Sequence, residues 1–145
     1  MTIKSYRDLE VWKKSISLIK NIYEITESYP KKETYGLGSQ TERSAVSIAA
    51  NIAEGRGRNS TREFLRHISF AYGSLAECET HLFIAKELNY ISQENLNKFI
   101  GSTEEIGRML NGLSNSLRKR LTPDLRPLTP NGFKEEENEF EYAEM

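Results

Sequence analysis

Between residues 64 and 88 the apolar side chains Phe64, Ile68, Ala71, Leu75, Cys78, Leu82, Ala85 and Leu88 recur at alternating steps of four and three. A strand cannot use that spacing, because it shows alternate residues to one face, whereas a helix gathers positions three and four apart into one stripe. A helix with one apolar stripe has to bury it against another element. The same regularity returns in Leu96, Phe99, Thr103, Ile106, Leu110, Leu113 and Leu117. Two coiled-coil-like seams in one chain predict long helices packed side by side.

Two further helices complete the pattern. Leu9, Trp12, Ile16, Ile19 and Tyr23 recur at helical steps, with Val11, Leu18, Ile22 and Ile25 widening the face. The run SAVSIAANIAEG supplies a second apolar side built from small residues, which lets a neighbour come close. The predicted helices cover residues 8–28, 35–54, 61–88 and 93–119, with Ser60 as an N-cap three residues before Glu63. Short links at 29–32, 55–60 and 89–92 favour antiparallel neighbours, so the expectation is an all-α, up-down-up-down four-helix bundle. Gly73, Gly101, Gly107 and Gly112 weaken their helices by about 1 kcal/mol each relative to alanine and are candidate points of close crossing.

The 145 residues suffice for one domain. A lone cysteine, Cys78, cannot form an intrachain disulfide, and no CxxC or His/Cys cluster suggests a zinc site. With no apolar run of membrane-spanning length and no apolar leader, the expectation is a cytoplasmic protein without membrane contact. The net charge of -1 hides a split: residues 1–120 carry 18 basic and 14 acidic side chains, whereas residues 121–145 carry 2 and 7. That second part holds Pro123, Pro127 and Pro130 followed by six glutamates, and reads as an acidic, self-repelling tail after the bundle of residues 1–120. Leu125, Leu128, Phe133, Phe140 and Tyr142 keep docking on the body open as the alternative.

Helical bundles can hold metal enzymes, but the di-iron pattern needs Glu-x-x-His pairs. Here Glu63/His67 and Glu77/His81 stand four apart and read as surface pairs. Cys78 occupies a core position, and no phosphate loop or nucleophile elbow occurs. The expectation is no catalysis, no cofactor and no metal. What stands out is the stretch EGRGRNSTREFLRH, where Arg56, Arg58, Arg62 and Arg66 gather with only Glu54 and Glu63 opposing them. Such an array beside a helix N-terminus suits phosphate, the alternatives being salt bridges to a partner or another subunit and a plain solvated turn. Lys13, Lys14, Lys20, Lys31 and Lys32 are candidates to widen the positive surface. Tyr6, Tyr29, Tyr35, Tyr72 and Tyr90 are candidates either to stack on bases or to cap the core.

The motifs DLEVW at 8–12, AVSIAANIAEG at 45–55 and GSLAECET at 73–80 follow one another in order. In these the chain resembles the four-helix-bundle proteins encoded within intervening sequences of bacterial 23S ribosomal RNA genes, over most of residues 5–118. The resemblance implies a homo-oligomer, a pentamer around a central channel. It also implies kinship with the accessory proteins of diversity-generating retroelements, whose partners are a reverse transcriptase and RNA or DNA. The family pattern singles out Trp12, Gln40, Arg43, Ser47, Asn51, Glu54, Gly55, Arg58, Phe64, Gly73, Ser74, Glu77, Glu79 and Thr80. Arg43, Ser47, Asn51, Glu54, Glu77 and Glu79 are expected to form a polar network between helices two and three, with Arg43 able to pair with Glu77 or Glu79, the alternative being that the same set forms a subunit interface. The acidic extension departs from the pattern. Two functions follow as expectations: a non-catalytic oligomer binding nucleic acid or a nucleic-acid enzyme, or a purely structural protein–protein assembly.

Overall fold

A computed structural model describes residues 5–121. The acidic extension therefore lies outside the described residues. Four helices follow a one-turn 3-10 segment: α1 (Glu10–Thr26), α2 (Leu37–Gly57), α3 (Thr61–Glu87) and α4 (Gln93–Lys119), with a second such segment at Lys31–Glu33 between α1 and α2. Each helix packs on its neighbours in the ring α1, α2, α3, α4, the α2–α3 contact being the most extensive. No strand occurs among the described residues. The protein is the up-down four-helix bundle expected from its periodicity.

Caps set the boundaries. Ser60 Oγ accepts from Glu63 N at 3.2 Å and Ser92 Oγ from Asn95 N at 3.0 Å, satisfying one orphan donor at the start of α3 and of α4. Leu18, Ile22, Ile48, Ile52, Ile68, Leu82, Ile106 and Leu110 are almost wholly buried, each contributing about 1.5–3 kcal/mol relative to exposure. Cys78 is buried with them, and burial raises its thiol pKa to about 11.

Four expectations need correction. The buried line of α1 is Val11, Ser15, Leu18, Ile22 and Thr26, while Ile16 and Tyr23 are 43% and 46% exposed. Ser15 can line the core because its hydroxyl donates back to Val11 O (2.8 Å), and Thr26 because its hydroxyl donates across to the Glu42 carboxylate (2.7 Å). Leu88 lies past the end of α3 and is exposed, and Leu113 is only partly covered, Ser114 taking the buried place in the last turns of α4. The helix α2 runs on through Gly55 to Gly57, leaving a link of only Arg58, Asn59 and Ser60. Finally, a Cβ at Gly73, Gly101 or Gly112 would meet nothing within 4 Å, whereas one at Gly55 would stand 2.6 Å from His67 Cβ. Gly107 does pack on α3, a Cβ there standing in ordinary contact 3.4 Å from Leu75 Cδ2, but the crossing too close for a side chain is at Gly55.

Cross-helix bonds fix the register. Thr26 Oγ1 donates to Glu42 Oε2 (2.7 Å) between α1 and α2, and Thr103 Oγ1 donates to Glu79 Oε2 (2.6 Å) between α4 and α3. Lys14 Nζ pairs with Glu105 at 3.3 Å between α1 and α4. Tyr29 packs on Tyr90 at the end carrying the α1–α2 and α3–α4 links, with Tyr90 OH donating to Glu33 Oε2 at 2.8 Å. Burial pushes the Tyr29 phenol up to about 12.

Candidate functional site

An even number of alternating helices returns the chain to the end where it began. The start of α1, the α2–α3 link and the end of α4 therefore share one end of the bundle. Glu79 with Thr103 and Tyr72 OH with Asn111 Nδ2 (3.5 Å) set the α3–α4 register, and carrying it onward brings Arg118 level with Phe64. Arg118, Lys119 and Arg120 thus join the arginines of the link. Residues 5–13, 53–67 and 115–121 hold nine basic and four acidic side chains, a net of +5. The opposite end, residues 20–42 and 79–98, holds five and seven, a net of -2.

Within the basic end, Arg56 is on the last turn of α2 rather than on a loosened link. Arg58 begins the extended residues, and its guanidinium reaches back to Glu54 Oε1 at 2.9 Å. Arg66 stands 3.8 Å from Glu63 Oε1 and lies over the Phe70 ring, 5.4 Å from its centroid. Arg56 and Arg62 also engage neighbouring groups. The Arg58 and Arg66 side chains are each more than half exposed, so their ion pairs are weak, solvent-screened contacts and yield readily to another anion. Arg58 and, second, the charge of His67 hold the Glu54 carboxyl below its ordinary range.

The histidines are not surface residues. His67 and His81 are only 6% and 7% exposed. His67 Nδ1 donates to Glu63 O at 2.8 Å, since a carbonyl can only accept. Its Nε2 stands 3.5 Å from Glu54 rather than against the Glu63 carboxylate. His81 Nδ1 is 3.4 Å from Ser44 Oγ, and its Nε2 is 4.0 Å from Glu77. Among the described residues no group of three or more His, Cys, Asp or Glu is placed to hold a metal ion. No described helix is long and apolar enough to cross a membrane.

The expected polar network is only partly brought together. Asn51 Nδ2 donates to Ser47 O (2.9 Å) and Ser47 Oγ (3.0 Å), and Ser74 Oγ donates to Ser47 Oγ (2.9 Å), stitching α2 to α3. Arg43 is exposed and pairs with neither Glu77 nor Glu79; Glu79 turns instead to Thr103. Glu54 belongs to the arginine cluster. Of the lysines, Lys13 pairs with Glu10 at 3.3 Å, Lys14 with Glu105, and Lys20, Lys31 and Lys32 lie toward the opposite end. Tyr6 packs edge-on against Trp12, Tyr29 against Tyr90, and Tyr72 is half-buried, so of the five tyrosines only Tyr35 is exposed, away from the arginines. Arg118, Lys119 and Arg120 were missed by sequence reading, and helix parity was the signal that could have found them.

The family model described as "23S rRNA-intervening sequence protein" matches residues 7–112. Among solved structures the chain is similar to a protein of unknown function from the S23 ribosomal protein family of Bacteroides thetaiotaomicron. That match has 24% identity and a TM-score of 0.68 over 72% of this chain and 95% of the other. At that identity the likeness is one of fold. No curated protein matches the chain.

Proposed function

The chain belongs to the 23S rRNA-intervening sequence protein family, and we propose that it is a non-catalytic, self-assembling helical bundle that binds nucleic acid through its basic end. The observation that carries this reading is the excess of nine basic over four acidic side chains at that end, against a net of -2 at the other. The exposed guanidiniums of Arg58 and Arg66, in weak surface pairs, exchange carboxylate for phosphate at little cost, and the charged surface attracts a polyanion from a distance. The retroelement branch, with a reverse transcriptase as partner, has only the sequence resemblance behind it.

The test is titration of labelled single-stranded RNA and duplex DNA with the full chain over a range of salt. Four phosphate contacts on a single strand give a slope of log K against log salt of about -3. Replacing Arg56, Arg58, Arg62 and Arg66 by glutamine should flatten the slope and weaken binding to every sequence alike. No binding to either nucleic acid at low salt defeats the reading.

Assembly has an observation of its own. Stepping back from Thr26, which bonds α2, by threes and fours gives Tyr23, Ile19, Ile16 and Trp12, an apolar line along the α2 side of α1. Val46, one turn beyond Glu42, is level with Tyr23, and Ile16, Tyr23 and Val46 are all more than 40% exposed. A second copy of the chain is the proposed cover for this face. If assembly is the whole function, Ile16→Asp with Tyr23→Asp lowers the mass in light scattering, and neither nucleic acid binds. A mass unchanged by those substitutions removes the α1–α2 face from the account, and a fall in mass on neutralising the arginines assigns them to the interface instead.

A further inference from the structure

The described chain ends at Leu121, directly beside the arginines. From there 24 more residues continue, and residues 122–145 carry two basic and seven acidic side chains, a net of -5 against the +5 of the bundle end they leave. Pro123 lacks the N–H that a continuing helix needs. At about 3.3 Å per extended residue the segment spans up to roughly 80 Å, well beyond the width of a bundle. Its glutamates, from Glu135 to Glu144, start more than ten residues out and can reach any basic side chain of that end.

We infer that residues 122–145 dock on the basic end of their own bundle and compete there with nucleic acid. The acidic segment supplies carboxylates on a tether, and Arg56, Arg58, Arg62, Arg66, Arg118 and Arg120 supply the guanidiniums that recognise them. Carboxylate and phosphate share the same bidentate fit to arginine, so one occupant displaces the other. The opposite end of the bundle, net negative, repels the segment and fixes the direction of docking. The competition rests on the nucleic-acid reading above; the docking does not. An effective concentration of about 1 mM for a tethered segment, against an intrinsic affinity of roughly 0.1 mM at the weak end of non-specific polyanion binding, occludes the site about tenfold.

Cys78 is fully buried, so a Met145→Cys variant of the full chain takes a spin label at its terminus alone. Docking predicts loss of amide signals at residues 54–66 and 115–121, with residues 29–37 unaffected. The loss should vanish near 1 M salt, where the screening length falls to about 3 Å, and should also vanish when the six glutamates after residue 134 become glutamine. Equal loss at both ends, no loss at low salt, or indifference to the glutamine changes overturns the docking. Mixing labelled chains with an isotope-enriched, unlabelled copy reports whose bundle is touched; loss only in the unlabelled copy overturns docking on the segment's own bundle. In a parallel titration with single-stranded RNA the glutamine variant should bind about tenfold more tightly than the parent, and equal affinity overturns the competition. If neither chain binds RNA, the functional reading falls with the competition, and the relaxation data judge the docking by themselves.

Discussion

Replacing Gly55 by alanine tests the close crossing of α2 and α3. The added Cβ would lie 2.6 Å from His67 Cβ, 3.1 Å from Phe64 Cδ1 and 3.3 Å from His67 Cγ. Ordinary contact begins near 3.4 Å, so α2 and α3 must part by about 0.8 Å at this level. His67 Cβ is one bond from the α3 backbone and cannot swing aside as a side-chain tip can, and Phe64 is itself in the core. Overpacking of this kind typically costs about 1–3 kcal/mol. Against it stands the helix preference of alanine over glycine, about 1 kcal/mol, available because no glycine among the described residues has a positive φ. The net expectation is a loss of up to about 2 kcal/mol, from overpacking less helix propensity. Gly73→Ala is the internal control: its Cβ meets nothing within 4 Å, leaving only the propensity gain of about 0.5–1 kcal/mol. Urea unfolding followed by far-ultraviolet circular dichroism, at one protein concentration throughout, should shift the two midpoints in opposite directions with unchanged slopes. If Gly55→Ala gains stability as Gly73→Ala does, the glycine is not what lets α2 and α3 meet there.

Three further outcomes are expected. Cys78 should resist a water-soluble thiol reagent at neutral pH until urea unfolds the chain. Because its folded pKa is raised from 9.0 to about 11, the unfolded thiol ionises first, so stability is whole below pH 9 and falls by up to about 3 kcal/mol as pH rises through 11; a flat urea midpoint from pH 8 to 11 contradicts this. Thr103→Val removes a buried donor held 2.6 Å from the Glu79 carboxylate and should cost about 1–2 kcal/mol, Glu79→Gln costing less; an unchanged midpoint for the valine variant refutes it. Glu54 should titrate below the ordinary glutamate range by carboxyl-carbon NMR, and Arg58→Gln should move its midpoint back up. Its share of stability is present above the ordinary carboxylate range and is lost as pH falls through the lowered value; a Glu54 midpoint indifferent to Arg58 would dismiss the pair.

The heptads of α3 and α4 were legible because apolar spacing is a local property of a helix, and Ile68, Leu75, Leu82, Leu96, Ile106 and Leu110 face inward as that spacing requires. In α1 the spacing misleads. Apolar residues surround more than one side of the helix, and Ser15 and Thr26 are buried because the first hydroxyl returns to its own backbone and the second reaches Glu42 on α2, bonds that hydropathy does not register. Gly55 looked like punctuation, since nothing in EGRG distinguishes a helix stop from a crossing point. The distinction lies in His67, twelve residues on and on another helix. The histidines misled for the same reason: Glu63/His67 and Glu77/His81 have the spacing of surface pairs, and only the face presented to α2 buries the rings. Of the candidate site, Arg58 with Glu54 and Ser47 with Asn51 follow from four-residue spacing. The arrival of Arg118 and Arg120 beside them follows from topology alone.

The alternation of helix directions also bears on how the molecule turns in an electric field. In two up and two down helices the backbone dipoles oppose one another pairwise and largely cancel. What survives is the side-chain imbalance of +5 at one end and -2 at the other, separated by the length of a 27-residue helix such as α3, about 40 Å. With the acidic segment undocked, the bundle is therefore an electric dipole lying along its long axis; docking of that segment's -5 on the +5 end cancels it. A charged body approaching off that axis exerts a torque before it makes contact, so the bundle is rotated into alignment during the encounter. Orientation of this kind acts on the rate of association and fades with ionic strength before short-range contacts do.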